Sequence, residues 1–352
     1  MASQPRGVHF VGSINLPTTS EVFDQIPSAI GQHLHRLPDG ETGDRDYFVR
    51  WQVAGAFSAA PEVVSKRDCT GNILPEEGII SKEQIAAAVE RLGNLTTEFD
   101  THALVSYSLF ASAKATGHIP SHIRFQVSLP GIINVIIGLS PSYRLAIEPL
   151  YEAALLRSLS IIQSSIPHNE LAIQIDVAIE IGLLEKAPGW VPWFSPVFSG
   201  IIDRLSRFAD QVAPDVELGF HLCYGDIGHA HFVQPQDLGL LVEVANALHQ
   251  SIKHPIQWLH VPVPKDRKDA AFFAPLKKLE WQVPELYLGC VHAGDEEGTR
   301  ERIATAKEVL GHVEFGVATE CGLGRTPKEE LGSILNILKA VSAPVAGNAV
   351  KI

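Results

Sequence analysis

Eight short runs of apolar and β-branched residues recur along the chain, and the longer stretches between them carry helical periodicity. The runs are "GVHFVGS" from Gly7, "HLHRLPDGE" from His33, "IRFQVSLPG" from Ile123 and "LAIQIDVAIE" from Leu171. They continue with "VELGFHLCYGD" from Val216, "IQWLHVPVP" from Ile256, "LYLGCVHAGD" from Leu286 and "EFGVATECGLG" from Glu314. A strand, a helix and a further strand make one unit of parallel sheet. An open doubly wound sheet usually has about five to seven strands and a Gly-rich first turn, whereas eight strands with their helices close into a ring. The predicted fold class is therefore α/β, a (β/α)8 TIM barrel, with residues 1–352 forming one domain.

Amphipathic segments such as "SPSYRLAIEPLYEAALLRSLSIIQ" and "TPKEELGSILNILKAVS" supply the helices. In the second, Thr326 is predicted as N-cap, with Pro327 at the first helical position and Glu329 completing a capping box. Two segments exceed a minimal barrel. Residues 51–120 contain "SKEQIAAAVERL" and "DTHALVSYSLFASAKA" and are expected to form a helical insertion after the second strand, over the barrel mouth. The Trp- and Pro-rich "EKAPGWVPWFSPV" from Glu185 reads either as a lid or as a packed surface loop.

Composition excludes several classes of function. Net charge is −12, from 28 basic and 40 acidic residues, with no Lys/Arg cluster of the kind a phosphate backbone requires; no nucleic-acid partner is expected. The start "MASQPRGVHFVGS" lacks the apolar core of a signal peptide, and "LPGIINVIIGL" is too short to cross a bilayer. The expectation is a cytoplasmic protein without a membrane partner, monomeric or homodimeric. Four cysteines, Cys69, Cys223, Cys290 and Cys321, are too few and too scattered for a disulfide framework.

Barrel sites form at the carboxyl ends of the strands. The fifth strand ends in His221 and Cys223, two apart, which puts both side chains on one face because strand side chains alternate. Barrel closure brings Cys321, at the end of the eighth strand, toward the same point, and His260 at the end of the sixth strand is placed to add a fourth ligand. Imidazole and thiolate donors are the set that zinc prefers. Against this stands the tendency of cysteine to be a small core residue, the reading given to Cys290 in mid-strand, while Cys69 falls in a loop.

Four stretches, in order, resemble the catalytic barrel of cobalamin-independent methionine synthase, in the uroporphyrinogen decarboxylase and methionine synthase superfamily. They are "VGSINLPTT", "LPDGETGDRDYFVRW", "HLCYGD" and "ATECGLGRT", and "IQIDVAIE" is similar to a fifth family segment. The length matches the short, single-barrel members. The resemblance implies Zn²⁺ held by His221, Cys223 and Cys321 and binding a substrate thiol as thiolate. It also implies that Glu41 and Asp176 receive the ammonium of an amino-acid-like substrate, with Ser13 near its carboxylate. Two departures stand out. The family's glutamate ligand is absent, His260 occupying that region, and the Trp associated with the folate donor is missing from "SLPGIINVIIGLS".

The expected function is zinc-dependent activation of a small thiol for methyl or alkyl transfer, with a thiol amino acid among the candidate substrates. The alternative on the same barrel is a zinc Lewis-acid lyase or hydrolase acting on a non-thiol substrate, with Asp226 or His292 as acid or base. A purely structural zinc site and a metal-free lyase are further readings. The last is disfavoured because the mouth is expected to be poor in Arg, with Arg36 and Arg325 as its best candidates.

Overall fold

The computed structural model describes residues 4–66, 74, 76, 78–225 and 231–345. Eight parallel strands form the barrel: β1 (Val8–His9), β2 (Arg36–Pro38), β3 (Arg124–Pro130), β4 (Leu171–Val177), β5 (Glu217–Leu222), β6 (Trp258–Pro262), β7 (Glu285–Val291) and β8 (Gly316–Thr319). Their order is β1-β8-β7-β6-β5-β4-β3-β2. Parallel bridges Val8–Leu34 and Ser13–Gly40 bring the two ends of the sheet together, so the ring closes. Every residue of β4 is buried, as expected of a parallel strand covered on both faces.

The outer ring contains the helices Thr19–Ile30, Phe99–Ala115, Pro141–Ser165, Val197–Ala209, Gly239–Ser251, Glu296–Leu310 and Lys328–Val341, with the short helix Ala270–Phe273 after β6. Of residues 51–120, the helix Phe99–Ala115 packs against Thr19–Ile30, Pro141–Ser165 and β3 as a member of that ring. The earlier helix Arg50–Gly55 rests on Ile132–Ile136 beyond the end of β3, where Trp51 helps to line a small cavity.

The "EKAPGWVPWFSPV" loop is packed. The Trp190 ring lies 4.2 Å from that of Phe232, and Trp193 Nε1 donates to Glu148 Oε2 at 2.6 Å. The cap expected of Thr326 is not formed. The last helix begins one residue later, at Lys328, with Pro327 in an extended conformation as the flanking residue, and the Thr326 carbonyl instead accepts from Asn15 Nδ2. That contact ties the segment after β8 to the turn after β1.

Inward-facing positions alternate along the strands, and register sets which of them meet. Asp176 of β4 is the Cα partner of His221 of β5, which is the partner of His260 of β6, itself the partner of Tyr287 of β7. At the opposite, amino-terminal end of the barrel, buried Arg36 donates through Nε to Glu217 at 2.7 Å and through Nη1 and Nη2 to Glu285 at 2.8 and 2.9 Å. Its guanidinium lies 4.0 Å from the centroid of the Trp258 ring.

Although burial works against the charged form, Arg36 holds Glu285 down to about 2. A carboxyl group depressed in the fold stabilises it above the unfolded value near 4.5, and this contribution disappears as pH falls through about 2. Replacing Arg36 by Met would leave two carboxylates without their buried partner. In urea denaturation Arg36→Met should lose about 3 kcal/mol at pH 7, and the difference from the unmodified protein should shrink as pH drops from about 4.5 toward 2.

Candidate metal centre

At the carboxyl end of the barrel the intervening Leu222 is fully buried, while His221 and Cys223 turn to one side and meet Cys321, just beyond β8. Hydrogen bonds fix the two cysteines. Cys223 N–H donates to Val177 O at 2.9 Å, and Gly225, in the left-handed region at φ 81°, donates its N–H to Cys223 Sγ at 3.2 Å. Thr319 Oγ1 donates to the Cys321 carbonyl at 2.8 Å.

The donor atoms of His221, Cys223 and Cys321 all lie within 4.8 Å of one another. Cys223 Sγ to Cys321 Sγ is 3.9 Å, and Cys321 Sγ to His221 Nε2 is 3.8 Å. Zn–S bonds of ~2.3 Å at tetrahedral angles put two sulfurs about 3.8 Å apart, so the pair needs almost no rearrangement to share one zinc ion. Two thiols and an imidazole are also the donor chemistry zinc selects.

His260 does not join this group. Its Nδ1 lies 2.7 Å from His221 Nδ1 and its Nε2 lies 3.0 Å from the Thr319 carbonyl, so both ring nitrogens are engaged behind His221. The expectation of a fourth ligand from the sixth strand therefore does not fit this geometry. Burial brings His260 down to about 4, and burial together with His260 holds His221 well below its ordinary value, so both imidazoles are neutral at pH 7.

A cavity of about 280 Å³ opens on both sulfurs, with His231, Lys265, His292 and Glu320 among its walls. His292 Nε2 donates to the Val263 carbonyl at 3.0 Å, which turns Nδ1 toward Glu320 Oε2 at 3.7 Å. His231 Nε2 is 3.4 Å from Glu320 Oε1. Burial lowers His292. By sequence alone His231 reads as a loop residue and Glu320 as a strand-end carboxylate without a specific role; its adjacency to Cys321 is the signal that marks it. Asp226 lies outside the described residues, as do Cys69 and His229. Cys290 is a core thiol, pushed up by burial to about 12.

On the neighbouring side of the barrel, Glu41 and Asp176 line a small cavity of about 30 Å³ with Asp39, Arg45 and Gln126. Glu41 adopts φ 45°, an uncommon conformation for a residue with a side chain, and its N–H donates to Asp39 Oδ1 at 2.9 Å. Gly12 allows this approach, since a Cβ there would stand 2.8 Å from Glu41 Oε1. Asp39 also accepts from Arg45 and from Ser106, each at 2.7 Å.

Burial, with Asp39 nearby, raises Glu41 to about 8, and burial with Glu41 nearby raises Asp176 well above the usual range. Gln174 Nε2 donates to Asp176 Oδ1 at 2.8 Å. Ser13 is buried beside the chain after β8, its Oγ accepting from Gly324 N–H at 3.1 Å. The structure thus brings His221, Cys223 and Cys321 together and Glu41 with Asp176, and it puts His292 on the wall of the larger cavity.

No family model matches the sequence, and no curated protein matches it. Solved structures do. The chain is similar to a B12-independent methionine synthase from Shewanella sp. W3-18-1 in complex with selenomethionine, with a TM-score of 0.61 and 12% identity over 96% of each chain. It is also similar to a putative vitamin-B12-independent methionine synthase from Listeria monocytogenes, with a TM-score of 0.51 and 14% identity over 97% of each chain. At such identity the likeness defines the class of barrel: a (β/α)8 fold of the type found in B12-independent methionine synthases. Among the described residues no helix is long and apolar enough to cross a membrane.

Protein purified without chelator is expected to carry about one zinc per chain by elemental analysis, with Cys223→Ser and Cys321→Ser each losing most of it. Retention of full zinc by both variants would place the metal elsewhere.

Proposed function

We propose that this chain is a zinc-dependent enzyme of the methionine-synthase type that activates a small amino-acid thiol for methyl or alkyl transfer. The observation that carries the reading is one juxtaposition. Three zinc-type donors gather within 4.8 Å of one another, the two cysteines among them line a cavity, and a buried acidic pocket begins on the adjacent strand, where Asp176 is in register with His221. Bound by His221, Cys223 and Cys321, zinc would supply the Lewis acidity that keeps a substrate thiol ionised at neutral pH, where a free thiol with pKa ~8.5 is mostly protonated. Two thiolates, one neutral imidazole and Zn²⁺ sum to zero charge.

The remaining roles follow from where each side chain stands. Glu41 and Asp176 receive the substrate ammonium, and Asp39, fixed by Arg45 and Ser106, holds the turn that presents Glu41. Ser13 lies beside the turn after β8 that carries Cys321 and serves the carboxylate end of the substrate. His292, on the cavity wall, is placed to hold or move a proton at Nδ1, and Asp226 is assigned the same kind of role. Small-molecule binding of this kind suits a reducing, cytoplasmic setting, where the two ligand cysteines stay as thiols.

The Shewanella enzyme is complexed with selenomethionine, a molecule that carries an α-ammonium and a chalcogen ether, and this supports an amino acid as the ligand of the acidic pocket. The absence of a Trp from the third strand end of this chain leaves the methyl donor unassigned between folates and simpler donors.

The test is methyl transfer to a panel of amino thiols, each paired with a folate and with simple methyl donors. Product with an α-amino thiol, and none with the thiol lacking its amino group, is the expected outcome. Turnover of thiol-free substrates in its place would favour the lyase or hydrolase alternative. A second result is expected from the free protein. Because burial raises Glu41 to about 8, it is protonated at pH 7 and must ionise to meet an ammonium. Calorimetry with an α-amino acid that has no thiol proton to lose, in buffers of different ionisation enthalpy, should then show net proton release at pH 7 and much less at pH 9. Glu41→Gln should lower the release at pH 7 by about one proton and weaken binding about tenfold or more.

A further inference from the structure

His260 touches no atom of the cavity beside the three donors, yet it is fully buried and hydrogen-bonded through both nitrogens. A carbonyl oxygen only accepts, so His260 Nε2, 3.0 Å from Thr319 O, carries the proton. The neutral ring then has a bare Nδ1. That nitrogen lies 2.7 Å from His221 Nδ1, which must be the donor in this contact. His221 is left with a bare Nε2, and this is the nitrogen that lies 3.8 Å from Cys321 Sγ. A backbone carbonyl on β8 thus dictates, through two imidazoles, which lone pair the centre presents.

We infer that His260 is the positioning residue of the metal centre: it orients His221 and fixes its tautomer, and it leaves three protein ligands with one coordination position open toward the cavity. The inference rests on the metal reading given above. A third strand is built around the same contact. A Cβ on Gly289 of β7 would stand 2.7 Å from Thr319 O and 2.9 Å from His260 Nε2, so only glycine lets β7 pass while this hydrogen bond is made. The polar partner of a metal-bound imidazole commonly governs affinity by about 10- to 100-fold without changing the ligand count. A partner that is itself a histidine adds a requirement: its own tautomer must be held, and Thr319 O and Gly289 do so.

The experiment combines nitrogen-labelled-histidine NMR with zinc competition against a chromophoric chelator, using the full chain. In the zinc-loaded protein His260 should show a protonated Nε2 and a bare Nδ1 without metal, and His221 a protonated Nδ1 with Nε2 on the metal. His260→Leu should still bind one zinc but about 10- to 100-fold more weakly, and His260→Asn, which restores an acceptor for His221, should recover most of that loss. Gly289→Ala keeps both rings and should weaken zinc binding in the same direction.

A metal-bound nitrogen on His260 would overturn the inference while leaving the metal reading intact. So would unchanged zinc affinity in His260→Leu together with Gly289→Ala, or a loss in His260→Leu as complete as in His221→Ala. An unmodified protein that takes up no zinc would overturn both.

Discussion

A closed parallel barrel forces its inward-facing polar groups to satisfy one another, because the ring has little room for solvent and every strand faces its neighbours in fixed register. The row Asp176, His221, His260 and Tyr287, one residue from each of four successive strands, shows the consequence. Each of the two histidines is neutral, and each finds a partner within hydrogen-bonding distance. The carboxylate at one end of the row is raised by burial and held by Gln174. The chemistry at the mouth depends on this interior arrangement, since it decides which nitrogen faces the sulfur pair and which carboxyl group lines the smaller cavity.

The two ends of the barrel handle charge differently. At the amino-terminal end, Arg36 is matched by Glu217 and Glu285 and covered by Trp258, so the charges are paired and inert. At the carboxyl end, burial and neighbouring carboxylates push Glu41 and Asp176 toward the neutral form, in Glu41 against the pull of Arg45 and Arg325. A buried acidic pocket of that kind suits a cationic group from a ligand, and the uncommon backbone of Glu41 is the sort of strain that persists at binding sites. The proposed substrate spans this pocket and the sulfur pair on the other side of His221.

The barrel is legible in the sequence because its strands are continuous apolar runs separated by helical period, a pattern that follows from burial on both faces. His221, Cys223 and Cys321 are legible for a related reason: alternation along β5 and the closing of β8 onto β1 are consequences of the fold class alone. The role of His260 is not. Its proximity to β5 can be read, but its hydrogen bond to Thr319 O, a backbone atom 59 residues away, leaves no mark in side-chain identity. The missing cap at Thr326 has a similar origin, because a carbonyl contact from Asn15 overrides a local propensity. Arg45 and Ser106 escape a reading by motif because Asp39 gathers them from a 3-10 turn and a ring helix that no motif connects.

The central claim is that the three-donor centre has a coordination position open to a substrate thiol. Cobalt-substituted protein reports on this directly, since each thiolate bound to the ion adds a sulfur-to-metal charge-transfer band in the near ultraviolet. Titration with a small α-amino thiol should increase that absorption beyond the level set by Cys223 and Cys321, with saturation at about one thiol per metal. A protein that binds cobalt through two cysteines, yet whose spectrum does not change on thiol addition, would have a closed, structural site and contradict that claim.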